Sequence, residues 1–171
     1  MRIRVSRRAV AFCPDCGYEA SGMGERRGRL LVLWLLASTL AAFDLWVNVV
    51  VPTPDWAVHQ RSGLWAFGCV VLLIAVIPLT RLSSPSVTIG AGFLAGGVLG
   101  NLIAGASDHL AVPNPLMLHT STSGGIAFNF ADAFIITGNL ILVLSLCTIV
   151  IKNRRQLHNR SVLAHILNRE Q

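Results

Sequence analysis

Four apolar runs of roughly bilayer-spanning length leave this chain few ways to fold in water. The first, Leu30 to Val51, has 22 residues with Asp44 as its only charge. At about 1.5 Å per residue it is roughly 33 Å long, enough to cross a ~30 Å hydrocarbon core with some tilt. The second, Leu64 to Thr80, has 17 residues; the third, Val87 to about Ala106, is rich in glycine; the fourth, Ala127 to Ile151, has 25 residues with Asp132 as its only charge. Charged residues make up 13% of the chain and hydrophobic ones 53%, whereas soluble domains carry about 25% charged residues. The mean hydropathy of +0.62 agrees. The pattern predicts an all-α membrane protein with four transmembrane helices. The first run lies too deep in the chain, and is too long, to read as a simple cleavable signal.

Basic residues set the expected orientation. Seven arginines, Arg2, Arg4, Arg7, Arg8, Arg26, Arg27 and Arg29, precede the first span, and Lys152, Arg154, Arg155, Arg160 and Arg169 follow the fourth. The connection 107–126 has no Lys or Arg. Positive charge marks the cytoplasmic side, so both termini are expected there. The chain divides into a basic segment 1–29, a four-helix membrane domain 30–151 and a basic tail 152–171, part of which, Val162 to Leu167, has the pattern of a short amphipathic helix. The net charge of +6 is explained by topology and contact with anionic membrane lipids, and calls for no nucleic acid.

A carboxylate at membrane depth costs roughly 3 kcal/mol on insertion scales, so Asp44 and Asp132 are functional candidates. Both fall near the outer ends of their spans, which places them at one level and lets helices one and four present them to a site near the outer leaflet. The plain alternative is that each satisfies a polar contact between helices. A small transporter or assembly factor would use the same two acids for ion or proton coupling.

Three further blocks carry a resemblance: His59-Gln60-Arg61-Ser62-Gly63-Leu64-Trp65-Ala66-Phe67, Gly96-Gly97-Val98-Leu99-Gly100-Asn101-Leu102-Ile103, and Ala127-Phe128-Asn129-Phe130-Ala131-Asp132. In this order, with Asp44 late in helix one, they resemble the signal peptidase II family over roughly Leu30 to Ile151. The resemblance implies an aspartic endopeptidase of the plasma membrane, working near the outer leaflet without a metal. Its substrates would be diacylglyceryl-modified prolipoproteins, cut immediately before the lipid-bearing cysteine. Two carboxylates suit that chemistry: one takes a proton from water while its protonated partner polarises the scissile carbonyl.

Asp132 matches one of the family's catalytic acids. The other family acid falls at Asn114, in Ala111-Val112-Pro113-Asn114-Pro115-Leu116, and an amide cannot exchange the required proton. Asp108, six residues earlier in the same connection, is the candidate second acid, with Asp44 as a further possible partner. The rival reading is a catalytically silent relative that binds lipoprotein precursors or membrane helices. Asp44, His59, Gln60, Asn101 and Asn129 are the expected substrate-binding residues, and Asn139 is expected to join helices. Gly92, Gly96 and Gly100 stand at four-residue spacing, which lets a neighbouring helix approach closely.

The N-terminal Cys13-Pro14-Asp15-Cys16 resembles one knuckle of a zinc ribbon. A closed site needs four ligands, so zinc on Cys13 and Cys16 would require a second chain or His158 and His165 of the tail. Cys69 and Cys147 are expected to be small core residues.

Overall fold

The computed structural model describes the backbone of residues 18–118 and 125–167, with side chains over 24–118 and 125–154. Cys13 and Cys16, the expected zinc ligands, lie outside the described residues. Among those described, no three His, Cys, Asp or Glu side chains come together as a metal site.

Four helices carry the fold. Helix α1 (Tyr18–Val50) starts within the basic N-terminal segment and ends just before Pro52 and Pro54. Helix α2 (Gly63–Ala75) begins at Ser62, whose hydroxyl accepts the backbone N–H of Trp65 at 3.2 Å, an N-cap that satisfies one of the free donors of the first turn. Pro78 then breaks the α ladder, and the segment continues as a 3-10 helix, Ile77–Arg81. Because the 3-10 rise is about 2 Å per residue against 1.5 Å, the short second span still reaches about 30 Å. Helix α3 (Pro85–Ser107) opens on Pro85, a residue suited to the first helical position. Helix α4 (Phe130–Leu167) runs on through the backbone of the tail. Four segments are long and apolar enough to cross a membrane: Gly24–Val50, Gly63–Arg81, Pro85–Ser107 and Phe130–Arg154.

Helix α3 is the central element. Most of its spanning window is buried, against about a tenth for the second and fourth spans. Lipid gives helices no hydrophobic reason to associate, so close van der Waals packing must hold them, and small residues permit it. The four-residue glycine spacing does this against α1. Gly92 meets Leu36, Gly96 meets Leu40 and Ala37, and Gly100 meets Asp44 and Ala41, one helical turn after another. A second glycine face meets α4: a Cβ on Gly97 would run into the Ala131 carbonyl, and Gly138 of α4 lies against the Leu94 backbone. Leu33, Ala37, Val76, Val87, Ala91, Leu94, Ala95, Val98 and Leu142 fill the core between these contacts. Exposed Leu31, Leu35, Val49, Leu64, Ile136 and Leu140 supply the apolar outer surface.

The connections at one end of the bundle are not helical, which an all-α reading leaves out. Strand β1 (Val58–Gln60) pairs antiparallel with β2 (Ala111–Pro113), and β3 (Leu116–Leu118) with β4 (Ile126–Phe128). Consequently the fourth helix starts at Phe130, three residues later than its apolar run, because Ile126–Phe128 pairs as a strand instead. Two further expectations are corrected. Asn139 is exposed on α4 rather than set between helices, and Cys147 is exposed there too, while Cys69 is half-buried against the core.

Candidate functional site

The site forms where α4 begins. Asn129 is the residue before the helix, and its Oδ1 accepts the backbone N–H of Asp132 at 2.9 Å, an N-cap. Its Nδ2 donates to Asn101 Oδ1 on α3 at 2.7 Å and to the Pro113 carbonyl on β2 at 3.2 Å. Asn101 Nδ2 in turn donates to Asp132 Oδ1 at 3.0 Å. Asn129, Asn101 and Asp132 therefore close a ring of three hydrogen bonds. Asn101 and Asn129 are buried, whereas Asp132 is only partly so. The ring fixes one carboxylate oxygen and leaves the side chain within reach of solvent.

Asp44 sits beside this ring but is enclosed, with 0% of its surface exposed. Its Oδ1 accepts the Ala131 N–H at 2.8 Å and its Oδ2 accepts from Asn48 Nδ2 at 3.1 Å. The Ala131 N–H belongs to the first turn of α4, where backbone donors lack a partner within the helix and a negative charge complements the helix dipole. Asp44 thus ties α1 to the start of α4, and Gly100 leaves room for it: a Cβ there would lie 3.2 Å from Oδ2. Phe43 and Phe130, whose rings meet edge to face at 5.0 Å, flank the same junction.

The β1–β2 ribbon brings up the other expected residues. Asn114 is fully buried, and its Nδ2 lies 2.7 Å from His59 Nδ1. Gln60 donates through Nε2 to the His109 carbonyl at 2.6 Å. That bond braces the turn after α3, in which His109 (φ 45°) and Leu110 (φ 68°) both adopt the left-handed region that side chains disfavour. Asp108 is exposed at the end of α3. It follows Asn101 by seven residues, about 10 Å along a helix, and its backbone carbonyl accepts the Ala111 N–H at 2.7 Å. The structure therefore brings together Asp132, Asn101, Asn129 and Asp44, sets His59 and Asn114 beside them across Pro113, and puts Asp108 and the Gln60 contact at the ribbon's outer end.

Three partners were not apparent from the sequence: the Ala131 N–H, the Pro113 carbonyl and the His59–Asn114 contact. Asn48, four residues after Asp44 and so on one helical face with it, was a legible signal missed.

The family model for signal peptidase (SPase) II matches residues 30–148. The chain belongs to the signal peptidase II family. The match spans all three sequence blocks and both membrane acids, and membership of the signal peptidase II family agrees with a multi-pass membrane protease. No curated protein sequence matches the chain significantly. Among solved structures, a bacterial membrane enzyme determined by the in meso method is similar, with a TM-score of 0.54 at 15% identity, covering 67% of this chain and 86% of that one. At that identity the likeness concerns the fold.

Proposed function

We propose that this protein is a membrane endopeptidase that removes signal peptides from diacylglyceryl-modified prolipoproteins, with Asp132 as its catalytic acid. The observation that carries this reading is the closed Asn129–Asn101–Asp132 ring. It holds a partly open carboxylate in one orientation at a helix N-terminus, which is what a group acting on a positioned peptide requires. Asn101 and Asn129 orient Asp132, Gln60 holds the ribbon, and His59 and Asn114 border the place where an extended substrate segment would lie. Asp44 supports the site from behind. Asp108 remains a candidate second acid, one that would have to reach the site from the exposed end of α3. With both termini cytoplasmic, as the flanking arginines imply, the site opens toward the outer leaflet of the plasma membrane.

A second reading has its own observation. An amide at Asn114 and full enclosure of Asp44 leave Asp132 as the one carboxylate of this cluster that substrate can touch, so a silent relative would bind precursors without cutting them.

The test is incubation of the purified protein in detergent with a synthetic prolipoprotein peptide, with and without the diacylglyceryl group. Cleavage of the lipidated peptide alone, immediately before the modified cysteine, is expected. Tight binding of the lipidated peptide with no product would establish the silent reading.

A further inference from the structure

We propose that His59 is the second proton-exchanging group of this site, oriented by Asn114 and acting together with Asp132 on the scissile peptide. The inference rests on the endopeptidase reading and supplies a second proton-exchanging group beside the Asp132 ring, where that reading has only Asp108 at the exposed end of α3.

Asn114 is an unusual residue to bury completely. Its Nδ2 faces His59 Nδ1 at 2.7 Å, while its Oδ1 is buried with no hydrogen-bond partner among the described residues. An unpartnered buried carbonyl oxygen costs about 1–3 kcal/mol. The cost is rational if the amide serves the imidazole beside it. A carboxamide exchanges no proton in such chemistry, whereas an imidazole has one ring nitrogen that can accept a proton and one that can donate.

The ribbon places the pair correctly. His59 is directly opposite Val112 in the β1–β2 register, so the two share one face, and Asn114, just past the end of β2, meets that face through its contact with His59. Val112 is fully buried and lies 3.4 Å from where a Cβ on Gly105 of α3 would be. The face bearing His59 and Asn114 is thus the one turned toward α3. Between Val112 and Asn114, the Pro113 carbonyl accepts from Asn129 of the Asp132 ring. His59 itself is exposed, so water and a bound peptide can reach it.

The Asn114 carboxamide fits the imidazole in two ways: Nδ2–H donates to an unprotonated Nδ1, or, turned over, Oδ1 accepts Nδ1–H. The second leaves the Nε2 lone pair free. In that state Nε2 takes a proton from water as the water oxygen bonds to the scissile carbonyl carbon, while the Asp132 carboxylate accepts the other O–H of that water and orients it. The carbon–nitrogen bond then breaks as the imidazolium returns its proton to the leaving nitrogen. One water is consumed, a carboxylic acid and an amine are released, and both side chains return to their starting states.

The experiment compares the full-length protein with His59→Ala, and with His59→Ala combined with Asn114→Asp, on the lipidated peptide. Melting temperature and gel filtration serve as checks on folding. Loss of kcat by about 10²–10⁴-fold in His59→Ala, with KM changed by less than about threefold, is expected for a lost proton carrier. Added imidazole should restore part of the His59→Ala rate and leave the parent unaffected. The Asn114→Asp combination should restore cleavage by supplying a second carboxylate. A parent that cleaves while His59→Ala keeps more than a third of its rate would overturn the role of His59 alone. So would a folded His59→Ala rescued by neither route, which would mark His59 as a structural residue. A parent that binds the peptide and never cleaves it would overturn both the role and the endopeptidase reading.

Discussion

Two aspartates stand side by side at the start of α4 and have opposite surroundings. Asp44 is closed off from solvent, with one oxygen on a helix N-terminal N–H and the other on Asn48. Asp132 is held at one oxygen by a ring of amides and otherwise reaches toward the open side. Equal depth in a membrane therefore does not mean equal work. An acid whose oxygens are both taken up by protein donors joins helices; an acid held at one oxygen retains chemistry to offer.

The contrast can be attacked from both sides. Asp44→Ala should be the most costly change, since it leaves the Ala131 N–H buried and unpaired, worth about 1–3 kcal/mol, and opens a void beside Gly100. A clear drop in melting temperature is expected, and unchanged thermal stability would break the comparison. Asn101→Ala should act instead on rate. It removes the donor to Asp132 and the acceptor of Asn129, and a misplaced catalytic group costs about 10²-fold; steady-state kcat/KM on the lipidated peptide reads it directly. Gly97→Ala places a methyl against the Ala131 carbonyl, forcing α3 and α4 apart at an overpacking cost of about 1–3 kcal/mol, visible in thermal melting. Asp108→Asn should be the mildest, changing kcat/KM by less than about twofold, because an exposed residue at the end of α3 is a surface substitution. A large loss there would make Asp108 the second acid and displace His59.

Much of the fold was legible because membrane spans announce themselves by length and charge. The glycine spacing of α3 also translated directly into contacts, Gly92, Gly96 and Gly100 meeting successive turns of α1. The short second span misled little: Pro78 predicts a broken helix, but not that a 3-10 turn restores the reach. What sequence could not supply was the pairing of the outer connections. Ile126–Phe128 reads as the apolar start of a helix, and only its partner Leu116–Leu118, ten residues away, makes it a strand. The same limit governs the site. Asn129 three residues before Asp132 is a readable N-cap spacing. The approach of His59 to Asn114, 55 residues apart, depends on a ribbon register that no local pattern encodes.

Asp44 and Asp132 are expected to divide the labour, the first joining helices and the second acting on substrate. The most direct test is kcat and melting temperature measured together for Asp44→Asn and Asp132→Asn, each of which keeps side-chain size. Asp132→Asn should lose about 10²–10⁴-fold in kcat and melt close to the parent. Asp44→Asn should keep kcat within about fivefold but melt lower, having lost a charge-assisted bond to a helix N-terminus worth about 1–2 kcal/mol. The reverse pattern, an inactive but stable Asp44→Asn beside an active Asp132→Asn, would contradict that division.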